Sequence, residues 1–157
     1  MQFDEQSLQQ ITIDVCQSML GLELQPLEPD VEKARQLLAA VEIRGDRNSV
    51  VEVFADDNLM AKIAEVMFNS DRGNLSEGDV KDAFCEIANM IGGNVKGVFG
   101  GEADLSLPVL RQAGDLLDQL PIGSIRASFE CCGHPLTIVL RELLPIEQTS
   151  EVATCIS

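Results

Sequence analysis

The strongest constraint on this fold is a single amphipathic segment. Turned at about 100° per residue, positions 79–98 separate into two opposed sides. Val80, Phe84, Ile87, Ala88, Ile91, Val95 and Val98 share one side and must face a core. Asp82, Glu86, Asn89, Gly93 and Lys96 form a nearly straight line along the other. A plain solvent face would carry Lys, Glu, Arg and Gln. This one instead holds Asn89 and Gly93, both poor helix residues, with Gly92 alongside. Each interior glycine costs roughly 0.5–1 kcal/mol relative to alanine, so two in succession suggest a demand other than helicity. Gly93 leaves a flat spot one turn beyond Asn89, where another backbone or a large ligand could approach the polar groups.

Composition limits what that outward line can serve. The chain has 157 residues, 45% of them hydrophobic, with 11 Lys and Arg against 26 Asp and Glu and a formal charge of −15. One folded domain spanning 1–157 is expected, with a tail from 145 to 157 that frays. Such acidity repels phosphate backbones and anionic headgroups, which argues against nucleic acid or membrane as partner. A single His and the absence of Trp and Tyr leave little material for a His-ligated metal, a Ser-His-Asp site or a stacking platform. Cys16, Cys85, Cys131, Cys132 and Cys155 follow no ligand or disulfide spacing and read as reduced thiols. With no basic leader and no apolar run near the roughly 18 residues of a membrane span, a cytoplasmic location is expected.

Along the chain, Leu8, Ile11, Val15, Met19 and Leu22 recur at helical steps within an acidic stretch, 1–30, that contains no Lys or Arg. Pro26 and Pro29 end that pattern. Residues 30–35 have helical propensity, but Leu37, Ala39, Val41 and Ile43 alternate, and Ser49–Phe54 is β-branched beyond a Gly45–Asn48 turn. A hairpin of strands 37–44 and 49–55 follows. Asp56 or Asp57 caps a helix running to Phe68, and Ser76 with Asp79 forms a capping box for the motif helix. After Gly100-Gly101 come an extended segment ending at Pro108, a partly helical polar stretch over 112–119, and a hairpin of 124–131 and 136–142 turning at Gly133. His134 and Cys85 read as structural.

The pattern Asp82-x-x-x-Glu86-x-x-Asn89-x-x-x-Gly93 resembles the signature helix of the CheC/CheX/FliY phosphatases of bacterial chemotaxis. Ser18–Leu22 and Asp104-Leu105-Ser106-Leu107-Pro108 are similar to further segments of CheX. A second E-x-x-N occurs neither in the first helix nor in 104–120, so the single-site CheX type fits better than CheC or FliY. The resemblance implies an α/β (α+β) fold, an antiparallel-rich sheet with two long helices on one face, and a homodimer formed by strand pairing. It also implies a reaction, hydrolysis of the phosphoaspartate of a CheY-like receiver domain. Asn89 would orient the attacking water and Glu86 would pair with the receiver's lysine. Asp82 and Gly93 would support or contact the partner. No cofactor is expected on this chain, Mg²⁺ being held by the receiver.

Two other readings stay open at this point. The same fold could dock on a receiver or on the flagellar switch without catalysis. Asp82, Glu86 and Asn89 could instead hold a hard cation, although three oxygen ligands on one helix are few for Ca²⁺.

Overall fold

The structure, a computed structural model, describes residues 3–27 and 37–143. Residues 30–35, whose propensity is helical, and the tail from 145 lie outside the described residues. The sheet has seven strands: β1 (Leu24–Pro26), β2 (Leu37–Arg44), β3 (Ser49–Ala55), β4 (Asp104–Leu105), β5 (Val109–Gln112), β6 (Ile125–Cys131) and β7 (His134–Glu142). Their order is β1-β6-β7-β3-β2-β4, with β5 pairing the other end of β2, and every pair is antiparallel. Three helices, α1 (Glu5–Val15), α2 (Asp57–Phe68) and α3 (Glu77–Phe99), share one core with one face of this sheet. The expected α/β architecture is therefore present, with α3 by far the longest helix and both α1 and α2 packed against it.

Both faces of the sheet are covered, and this accounts for its sequence. Val41, Ile43, Val51, Val53, Ile138 and Phe129 face the helices, whereas Leu38, Val50, Phe54 and Val139 form a second cluster with Ala113 and Leu143. Consequently all of β3 is buried, and its run of β-branched residues shows no alternation. Glu52, in the middle of that strand, is fully buried on the second side. It accepts hydrogen bonds from Arg141 Nε at 2.8 Å and Arg111 Nη2 at 2.9 Å.

Both sequence-expected hairpins are present, the second closed by Cys132 (φ 54°) and Gly133 (φ 81°). Two consecutive positive φ values are the geometry that matches the twist of a tight hairpin, and glycine adopts the second without strain. Several expectations need correction. Met19, assigned to the buried stripe, is 60% exposed. The helix widens into a π-turn over Cys16–Leu20, which shifts the phase and buries Cys16 and Leu20 instead. Pro26 does not simply end the first helix; it closes β1, an edge strand where a missing N–H is tolerated. Val109–Gln112 is a strand, and the helical part of 112–119 shrinks to one 3₁₀ turn, Leu116–Asp118. Thiols are free at Cys16, Cys131 and Cys132, but Cys85 is disulfide-bonded, against the expectation of reduced cysteines.

Candidate functional site

The motif helix begins where the sequence sets it. Asp79 N donates to Ser76 Oγ and Ser76 N donates to Asp79 Oδ2, each at 3.0 Å, a complete capping box. Glu77 and Asp79 in the first turn and Lys96 in the last complement the helix dipole. Lys81 pairs with Glu77 at 3.2 Å on the exposed side of the first turns. Over its 23 residues, about 34 Å at 1.5 Å per residue, α3 lies chiefly against β2 and β3 and against α1 and α2. Phe84, Ile87, Ala88, Ile91 and Val95 are fully buried. The apolar stripe is less complete at its ends, because Val80 is only half-buried and Val98 is 40% exposed.

All four site candidates lie off that stripe. Asp82 and Glu86 are exposed, and Asn89 and Gly93 are half-buried. On a helix, residues three or four apart stand about 5–6 Å from one another at Cβ, so Glu86 and Asn89 form a contiguous acid and amide pair, with Asp82 one turn before and Gly93 one turn after. No side-chain hydrogen bond or ion pair within the described residues engages Asp82, Glu86 or Asn89. Asn94 provides a contrast: its amide donates to Met90 O at 2.8 Å and is committed to its own helix. Of the two asparagines in this stretch, only Asn89 therefore keeps its side-chain donor and acceptor for something outside the fold.

The best-formed concavities among the described residues lie away from these groups. One, of about 1080 Å³, lies at the far end of α3 among Phe3, Arg47, Phe99, Glu102 and Arg126. Neither it nor the three smaller depressions is lined by Asp82, Glu86, Asn89 or Gly93. Among the described residues no three His, Cys, Asp or Glu side chains converge as metal ligands. A convex helix face presenting an unengaged carboxylate and amide suits a complementary macromolecular surface better than a small ligand, which needs enclosure.

Comparison with known proteins gives the face a family. The model of the chemotaxis phosphatase CheX matches residues 37–130, more than half of the chain and all of α3. The chain belongs to the CheX family. Chemotaxis protein CheX of Vibrio vulnificus superposes with a TM-score of 0.68 at 21% identity, covering 87% of this chain and 93% of that one. A CheX of Desulfovibrio desulfuricans superposes at 0.65 and 19% identity, covering 87% and 96%. The Borrelia burgdorferi CheX-CheY-BeF₃-Mg²⁺ complex matches with a TM-score of 0.67 at 14% identity, covering 91% of this chain and 100% of that one. At these identities the superpositions establish a shared fold. No relative is found by sequence among curated proteins.

Within this CheX-family fold the two adjacent glycines have different surroundings, and the sequence reading missed the internal close packing at Gly92. A Cβ on Gly93 would sit 3.9 Å from Leu105 Cδ2, an ordinary contact. A Cβ on Gly92 would sit 2.3 Å from Val41 Cγ2 and 3.3 Å from Leu105 Cδ1. Gly92 is thus where α3 packs directly on a side chain of the chain's own β2, Val41, while Gly93 stays open. The wheel carried a signal for this, since Gly92 sits between Ile91 and the outward line. The buried Glu52 with Arg111 and Arg141 was also missed, its only trace being an acid inside a β-branched run.

Proposed function

We propose that this chain hydrolyses the phosphoaspartate of a CheY-like receiver domain, using Asn89 and Glu86 as the groups that enter the receiver's active site. The observation that carries the proposal is the pair itself: an exposed carboxylate and a half-buried amide, one turn apart, with no side-chain partner among the described residues, in a chain of the chemotaxis phosphatase family. A receiver is also what the Borrelia relative was crystallised with.

Hydrolysis of an acyl phosphate adds water to phosphorus, breaks the bond to the aspartyl oxygen and releases inorganic phosphate with a free carboxylate. The transition state is loose, so a catalyst gains most by holding water in line and balancing charge. A neutral amide suits the first task, because Asn89 can accept a hydrogen bond from the water and donate one to the phosphoryl group. A carboxylate at that position would repel the phosphoryl oxygens. Glu86 would take the receiver's lysine in a charge-assisted hydrogen bond, fixing the register of the two surfaces. Mg²⁺ belongs to the receiver's own carboxylates, and this chain contributes no metal ligand or cofactor. Asp82 and Gly93 extend the contact along α3, Gly93 by offering the partner no side chain.

The same reading puts the chain in the cytoplasm as one domain and makes it a homodimer through sheet edges. In the described residues the sheet ends on β1 at one side and on β4 and β5 at the other. The test is decay of phosphorylated receiver with catalytic amounts of protein. Wild type should accelerate it, Asn89→Ala should abolish the acceleration, and Glu86→Ala should weaken receiver binding. Full activity in both variants would refute the assignment. Binding without accelerated decay would instead make the chain a docking module.

A further inference from the structure

α3 is 23 residues long, and at one point along it, Gly92, there is no room for a side chain between helix and sheet. Gly92 is buried, three residues after Asn89 and six after Glu86, and its α-carbon faces Val41 at the middle of β2. The 2.3 Å that a Cβ would leave to Val41 Cγ2 is more than 1 Å short of ordinary contact. Val41 cannot give way cheaply. It is fully buried, its β-branched side chain has few rotamers, and it is held between β3 and the helix layer. Leu105 of β4 closes the other side at 3.3 Å.

We infer that Gly92 is a positioning residue for the phosphatase reaction: its missing side chain lets α3 rest on Val41 at the height and tilt from which Asn89 reaches the receiver's phosphoryl group. The inference rests on the functional reading above. A side chain at Gly92 would lift this part of α3 by about 1 Å, and a displacement of that size in a group that orients a reactant can cost up to about 10²-fold in rate. Glu86 and Asn89 would still face outward, so the loss belongs in kcat more than in KM.

The test uses the full chain and a phosphorylated receiver, with kcat, KM and thermal unfolding measured for wild type, Gly92→Ala, Val41→Ala and the double variant. Gly97→Ala is the helix-propensity control, since a Cβ there meets nothing within 4 Å; it should keep wild-type kcat. Gly92→Ala should lose about 10- to 100-fold in kcat. Adding Val41→Ala removes the clashing methyl and should restore kcat to within about threefold of Val41→Ala alone, even though the smaller core residue leaves the double variant less stable than wild type. A purely structural role would make activity follow stability. Rescue of kcat without rescue of stability supports positioning. A double variant as slow as Gly92→Ala, or a folded Gly92→Ala with wild-type kcat, overturns it. Should Gly92→Ala not fold, Val41→Ile crowds the same gap from the strand; reduced kcat supports the inference and wild-type kcat overturns it. Asn89→Ala separates the two levels. If it retains activity the phosphatase assignment fails; if it is inactive while Gly92→Ala matches wild type, only the positioning role fails.

Discussion

Replacing Asn89 and Gly93 together by alanine should make this protein more stable while removing its activity. Alanine in a helix interior is favoured over glycine by roughly 0.8–1 kcal/mol and over asparagine by up to about 0.7 kcal/mol. Those gains are realised only if the original side chains do nothing for the fold and the new ones fit. Asn89 is half-buried and its side chain makes no hydrogen bond within the described residues, so its amide can be removed without orphaning a partner. At Gly93 the added methyl would meet only Leu105 Cδ2 at 3.9 Å, a normal van der Waals contact. The sum is about 1–1.5 kcal/mol. In a chain of this length, with about 2–4 °C per kcal/mol, the melting temperature should rise by roughly 2–6 °C. Calorimetry or far-UV circular dichroism on the full chain measures the shift, and phosphorylated-receiver decay measures the loss. A melting temperature that stays level or falls would refute the reasoning, because it would mean that Asn89 or Gly93 supports the fold and is not held in place by function. Increased stability with unchanged receiver decay would refute the other half.

Two further perturbations probe parts of the fold away from α3. Glu52→Ala removes the carboxylate that Arg141 meets at 2.8 Å and Arg111 at 2.9 Å, and breaking a buried pair in this way typically costs about 3–5 kcal/mol, to be read as a lowered urea midpoint at unchanged slope. Burial pushes the Cys16 thiol up from 9.0 to about 11, and a folded-state value above the unfolded one means that the contribution is complete below pH 9 and lost as pH rises towards 11. Unfolding free energy should therefore fall across that window, and Cys16→Ala should flatten the fall; an equally steep fall in the variant would contradict it.

What the sequence disclosed followed the simplicity of the local pattern. The capping box at Ser76 and Asp79, the two hairpins and the helix ending at Phe68 rest on short-range chemistry, and each stands where that chemistry puts it. Misses occurred where a neighbour distant in sequence overrode the pattern. Met19 continues the stripe of Leu8 and Val15 at helical spacing, but a π-turn inserts extra residues per turn and rotates it outward. Val109–Gln112 has no alternation of its own in so short a run, and becomes a strand because Leu37–Ala40 lies open beside it. The site helix was legible in its outward residues, whose pattern is local. The function of Gly92 was not, since it depends on Val41, about fifty positions away in sequence and 2.3 Å from the missing Cβ.

The shape of the site also narrows what the chain's charge of −15 can mean. A catalyst that works inside its own pocket can desolvate a substrate with its own walls. Here the carboxylate and amide stand on a convex helix, so any exclusion of water must come from the surface brought against them. Long-range attraction would then be a blunt instrument, because screening limits it to about 8–10 Å at ordinary ionic strength. The residues from Ser76 to Val98 are close to balanced, with Glu77, Asp79, Asp82 and Glu86 against Lys81 and Lys96, while the N-terminal stretch holds Asp4, Glu5, Asp14 and Glu23 with no cation. On the proposed reading, selectivity for a partner resides in short-range contacts at the helix face: one carboxylate that needs a cation at hydrogen-bond distance, one amide that needs an acceptor and a donor, and a glycine beside which another backbone can lie. A partner lacking any one of these would leave Glu86 or Asn89 desolvated and unsatisfied, a penalty of about 1–3 kcal/mol for each group and more for the charge. On the proposed reading, that penalty is the main means by which the α3 face rejects the wrong protein.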